Sequence, residues 1–324
     1  MRYRIILLFC CFICYAESTA SSMIWGFYAH QQINRIAVFT LPEEMLSFYK
    51  MNIQYITENA VNPDRRRYAI KEEAPRHYID IDVYGDSAIE KMPRYWFDAV
   101  EKYTEDTLQA YGIVPWHVNF VCYQLTEAFK MKDALKILRL SADLGHYIAD
   151  ANVPLHTTKN YNGQLTDQYG IHGFWESRLP ELYADDYDFF VGQADYIENT
   201  QLYIWEAVEQ AHAALDSVLL FEKQLTKSKK SDEKYSSELR GNVNVKVYAR
   251  DFAKAYHQQL AGQVERQMRK SIKMTGDFWY TAWVNAGQPD LNSLMENYTI
   301  IEEATIYEKT DKNLRNHESG IDKD

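Results

Sequence analysis

The chain has 324 residues, enough for one large domain or two average ones. With 13 glycines and 8 prolines it is too poor in turn formers for a collagen-like or loop-dominated protein, and its 46% apolar content excludes global disorder. A net charge of −11 leaves no broad basic face for tracking a nucleic-acid backbone or an anionic membrane, so phosphate chemistry here needs a local positive source.

Residues 1–16, MRYRIILLFCCFICYA, open with Arg2 and Arg4 and run apolar from Ile5 to Ala16. This predicts a secretory signal, too short to span a membrane, with small-residue cleavage patterns ending at Ala16 and Ala20. The expected signal covers 1–20, and the mature chain is expected to be secreted or periplasmic. A lipid-anchored start at Cys10, Cys11 or Cys14 is the alternative. No later stretch is apolar over 18 residues, so no transmembrane segment is expected. Only Cys122 lies beyond the signal, so the mature chain has no internal disulfide and must rest on its core or on metal.

Residues 31–58 read as helical, and 96–111 carry amphipathic spacing. Within 116–150, Leu135, Ile137, Leu138, Leu140, Leu144 and Ile148 recur at helical intervals, and Pro154 ends or kinks that helix. Residues 157–171 read as a loop, and helical patterns resume over 194–225 and 243–274. The polar run 227–238, KSKKSDEKYSSE, reads as a solvated loop or a helix extension. The expectation is an all-α fold: one multi-helix domain over 21–308 and a flexible tail over 309–324.

Three of the nine histidines share a 27-residue window and have two carboxylates beside them: His146-x3-Asp150-x5-His156, then His172-x3-Glu176. Residues i and i+4 share a helix face, so each pair aims an imidazole and a carboxylate at one point. That donor mixture suits zinc with open water positions. His117, His212, His257 and His317 fall outside this pattern and are expected to be ordinary surface or core histidines.

In these residues the chain resembles the superfamily of zinc-dependent phospholipases C and single-strand nucleases of the S-one/P-one type. WGFYAH (25–30) is similar to the nuclease amino-terminal Trp-Gly-x-x-x-His, and PDRRR (63–67) to its Asp-x-x-Arg. RHYID (76–80) resembles its His-aromatic-x-Asp, GHYIADANVPLH (145–156) its central metal segment, and HGFWE (172–176) its last ligand pair, with Glu for Asp. The resemblance implies three zinc ions at the bottom of a cleft between helices. One would be held by His156, His172 and Glu176, and a second by Asp64, His77, His146 and Asp150. The third would be held by Trp25, His30 and a bridging Asp150, on condition that Trp25 is the mature amino terminus. Three zinc ions, three carboxylates and a bridging hydroxide would leave the pocket at about +2, supplying the missing positive source.

By the same resemblance Asp64 orients the nucleophile, Arg67 clamps a phosphate oxygen, and Tyr78 and Asp80 stack on and hydrogen-bond a base. The expected function is therefore zinc-dependent phosphodiester hydrolysis, with single-stranded nucleic acid or nucleotides as the first substrate class. The alternative is a phospholipase C: Glu176 and the short loop between His156 and His172 are similar to that branch. A second alternative is a zinc-stabilised binding protein without activity. The resemblance implies no protein partner.

Overall fold

The computed structural model describes residues 20–240 and 243–295. The expected signal up to residue 19 and the tail from 296 onward, with His317, lie outside these residues.

Lys132 takes a left-handed φ of 54°, which reverses the chain. Asp133 then caps the next helix by accepting from the Lys136 amide at 3.1 Å. In that helix, Ala134–Ala151, the side chains of Ile137, Leu138 and all of 140–151 are buried. A helix buried on every side belongs at the centre of a bundle. It packs against helices Ala20–Ala37, Ile53–Asn59, Val114–Lys130, Thr200–Ser228 and Gln263–Asn285. Its approach to the first helix requires Gly145: a Cβ there would stand 2.0 Å from Asn34 Oδ1. Asn34 uses that proximity to donate from Nδ2 to the Ala142 carbonyl at 3.0 Å. One turn earlier, Trp279 donates to the Ser141 carbonyl at 3.0 Å and stacks on Tyr49. The all-α class holds, and among the described residues no helix is long and apolar enough to cross a membrane.

Several sequence boundaries are corrected. The 31–58 pattern is broken by the extended Pro42, giving helices Ala20–Ala37, Glu43–Met51 and Ile53–Asn59. Thr104, at φ 67° and ψ 150°, splits 96–111 into Trp96–Tyr103 and Glu105–Tyr111. The helix expected over 194–225 starts at Thr200, where Asn199 caps it, and runs to Ser228. The largest departure lies at 227–248. Tyr235–Arg240 and Val243–Tyr248 form a two-stranded antiparallel hairpin with Tyr235 opposite Tyr248. The helix expected over 243–274 is thus a strand followed by helices Arg250–Gln259 and Gln263–Asn285. Val243, Val245 and Val247 alternate with Asn244, Lys246 and Tyr248, a period of two that excludes a helix.

The hairpin packs against one short segment. Tyr248 stacks on Phe174 with ring centroids 3.7 Å apart, and Phe174 in turn lies 4.9 Å from Tyr256. Arg178, buried, donates to Glu238 of the hairpin at 2.9 Å. The π-helical turn Phe174–Arg178 is therefore gripped at both ends.

Candidate metal centre

Eight of the nine expected ligands converge from seven short segments. His30 comes from the first helix and Asp64 from the one-turn helix Asn62–Arg66. His77 ends the 3-10 turn Ala74–His77. His146 and Asp150 lie one turn apart on the central helix. That helix stops at Ala151, and Pro154 opens the 3-10 turn Pro154–Thr157 that carries His156. His172 lies in the short helix Ile171–Gly173, and Glu176 sits in the middle of the gripped π-helical turn. Trp25 lies on the first helix five residues before His30, but its side chain is outside the described residues.

Asp150, 1% exposed, is the hub. Its oxygens lie 2.9 Å from His77 Nδ1, 3.2 Å from His146 Nε2, 3.5 Å from His30 Nε2 and 3.6 Å from His156 Nδ1. Asp64 closes one side, 3.8 Å from His77 Nδ1 and 4.0 Å from His146 Nε2. Glu176 closes the other, 2.6 Å from His172 Nε2 and 3.4 Å from His156 Nε2 through one oxygen, and 3.2 Å from His30 Nε2 through the other. Two backbone carbonyls select tautomers: His146 Nδ1 donates to Ala60 at 2.8 Å and His156 Nδ1 to His77 at 2.6 Å. Each bond turns the Nε2 lone pair of that ring toward the cluster.

The electrostatics call for positive charge. Burial alone would lower the pKa of His146 and His156, yet their carboxylate neighbours push both up to about 9. Burial alone would raise Asp150 and Glu176, yet the surrounding histidines hold both well below the usual carboxylate range. His77 is lowered by burial, which outweighs Asp150 and keeps its ring neutral. A divalent cation would take the place of the protons on His146 and His156 and satisfy the same carboxylates. The donors fall into four overlapping groups of three: His30/Asp64/His146, His77/His146/Asp150, His156/His172/Glu176 and His30/Asp150/Glu176. Within each group the ligand atoms lie within 4.8 Å of one another, so each group could hold an ion. Glu176, like Asp150, is shared between groups, which the sequence pattern does not reveal.

The remaining expected residues ring this centre. Arg67 is exposed, with Nη1 3.6 Å from Asp64 and its guanidinium over the Tyr68 ring. Tyr78 and Asp80 follow His77, and Tyr84 lies beside them. Burial and the neighbouring Asp82 push the Asp80 carboxyl up to about 7. Tyr161 reaches the same side, packing edge-on against His172 at 5.9 Å. His117, His212 and His257 stay out of the cluster: His117 packs on Tyr147, His212 bonds Thr157, and His257 bonds Tyr187. Sequence spacing misses Glu73, Arg66, Asp143 and Tyr147, which pack behind His77. Glu73-x3-His77 is the reversed form of the pairs used above, and was the available signal.

No family model matches this chain, and no curated protein matches it. Among solved structures it is similar to the alpha toxin of Clostridium absonum, at TM-score 0.48 and 11% identity, covering 83% of this chain and 66% of that one. It is also similar to the Clostridium perfringens alpha-toxin from avian strain SWCP, at TM-score 0.44 and 13% identity, with the same coverage of 83% and 66%. The chain thus spans about two thirds of the length of each.

Proposed function

We propose that this chain is a zinc-dependent phosphodiester hydrolase of the phospholipase C type, acting on a phospholipid with a cationic headgroup. The observation that carries the hydrolase reading is the fused ligand cluster, in which Asp150 and Glu176 are each shared between donor groups. Zinc bound there would supply Lewis acidity toward a phosphate oxygen and lower the pKa of an attacking water. Asp64 is the most exposed carboxylate of the cluster and is steadied by Arg67 at 3.6 Å, so it can accept the proton of that water. The exposed Arg67 can donate to a phosphate oxygen. Water attacks phosphorus, the bond to the glycerol oxygen breaks, that oxygen takes up a proton as diacylglycerol departs, and the phosphorylated headgroup carrying the water oxygen is released.

Three features support lipid over nucleic acid. Asp80 and Asp82 stand beside Tyr78 and Tyr84, a combination of carboxylates and rings that suits a quaternary ammonium. Exposed apolar side chains lie on the segments that adjoin ligands: Tyr161, Leu165 and Tyr169 on the loop before His172, and Tyr68 and Ile70 after Arg67. The net charge of −11 opposes a polyanionic strand but not a zwitterionic lipid. The second reading is a single-strand nuclease, in which Tyr78 stacks on a base and Asp80 bonds it. It is favoured by the Asp80 carboxyl at about 7, which can donate or accept near neutral pH.

The test is one side-by-side assay on phosphatidylcholine vesicles, single-stranded DNA and RNA, before and after zinc is restored to chelated protein. Zinc-restored release of phosphocholine with the nucleic acids intact is the expected result. Cleavage of nucleic acid alone would replace this reading with the nuclease. Hydrolysis of none of them by the zinc-loaded protein would favour a zinc-stabilised binding protein.

A further inference from the structure

Glu73 belongs to none of the donor groups, yet its carboxylate is wholly buried directly behind His77. We infer that Glu73 is a positioning residue that fixes His77 as an Nδ1 ligand and strengthens its hold on the metal shared with His146 and Asp150. This rests on the zinc reading of the cluster and not on the choice of substrate.

His77 is oriented oppositely to its neighbours. His146 and His156 spend Nδ1 on backbone carbonyls and face the cluster with Nε2. His77 faces it with Nδ1, which lies 2.9 Å from Asp150 and 3.1 Å from His146. A neutral ring presenting its Nδ1 lone pair carries its proton on Nε2. That Nε2 is buried and finds no hydrogen-bond partner among the described residues. The acidic group facing it is Glu73, whose Oε1 stands 3.8 Å away. A carboxylate behind a metal-bound imidazole sets its tautomer and raises its donor strength.

Glu73 is itself held from three directions. Tyr147 donates its hydroxyl to Oε1, Arg76 donates to Oε2 at 2.6 Å, and Arg66 lies 3.4 Å from Oε1. Arg66 also spans both oxygens of Asp143, at 3.1 and 3.0 Å. Two arginines thus balance two carboxylates, so the network adds no net charge behind the metal. Buried ion pairs contribute little net stability compared with well-packed apolar groups. A wholly buried carboxylate with this much support is therefore explained by what it orients. The central helix serves both layers: His146 and Asp150 face the metal, while Asp143 and Tyr147 brace Glu73.

The test measures metal binding by the full chain. Zinc content per chain and competition with a chelator are compared for wild type, Glu73→Gln and Tyr147→Phe. The expected result for Glu73→Gln is one ion bound roughly 10- to 100-fold more weakly with the others retained. Tyr147→Phe, which keeps both charges, should shift the same ion by less. In wild type, nitrogen NMR of the zinc-loaded protein should show His77 metallated at Nδ1 and protonated at Nε2, a readout that stands even if Glu73→Gln fails to fold. Unchanged zinc affinity in folded Glu73→Gln, or His77 bound through Nε2, overturns the role of Glu73. If wild type binds no zinc, the metal reading falls with it. If wild type binds zinc but cleaves only nucleic acid, the role of Glu73 stands and only the lipid assignment fails.

Discussion

Asp150→Asn is the most informative single substitution. The amide keeps the shape of the side chain and removes the one charge that contacts His30, His77, His146 and His156. Its magnitude follows from the histidines it polarises. His146 and His156 are pushed up to about 9, and Asp150 is the largest upward influence on each. Relative to an ordinary histidine near 6.5, that rise corresponds to about 3 kcal/mol per unit of positive charge. Asp64 and Glu176 contribute to the same rise and a doubly charged ion feels the lost charge more than a proton does, so the affinity should fall on the order of 10²-fold. Because Asp150 joins two of the donor groups, two ions should weaken together while the one at His156, His172 and Glu176 stays. Chelator competition followed by zinc analysis reads this directly. Wild-type affinity at every site, or loss of only the His172 ion, would refute the hub assignment.

Three further outcomes follow from the same contacts. In chelator, thermal stability should fall as pH rises from about 6.5 to about 9. Folded His146 and His156 hold protons more tightly than unfolded ones, so their contribution is complete below the unfolded pKa and lost through the folded one. A melting temperature that stays flat or climbs over that range would contradict the direction. Gly145→Ala should cost about 1–3 kcal/mol, because the new Cβ meets Asn34 Oδ1 at 2.0 Å and pushes the His30 helix from the His146 helix. Calorimetry showing no loss would mean the two helices tolerate separation. Tyr248→Ala removes the ring that stacks on Phe174 and should weaken zinc at the two groups that contain Glu176 before the other two. Full zinc occupancy in that variant would show that the hairpin does not steady Glu176.

What was legible in the sequence was whatever one helix face records. Leu138, Leu144, His146, Ile148 and Asp150 mark both the central helix and its metal face, because core and site lie on one element with one period. Pro154 marks the end of that helix for a covalent reason. The hairpin was obscured because its valines follow a charge run and precede a true helix, so a long window averages two periods. Thr104 and Lys132 break helices through backbone angles that neither residue type announces. The sharing of Glu176, and Glu73 behind His77, depend on segments that meet only in three dimensions. Local spacing names a pair of ligands but not which pairs fuse.

The most direct test of the metal-centred hydrolase is a zinc titration of chelated protein, with metal content and phosphodiester turnover read on the same samples. The proposed function predicts more than one zinc per chain, with phosphocholine release from phosphatidylcholine returning as the sites fill. A chain that fills with zinc and hydrolyses no phosphodiester, or hydrolyses one equally well without metal, would contradict it.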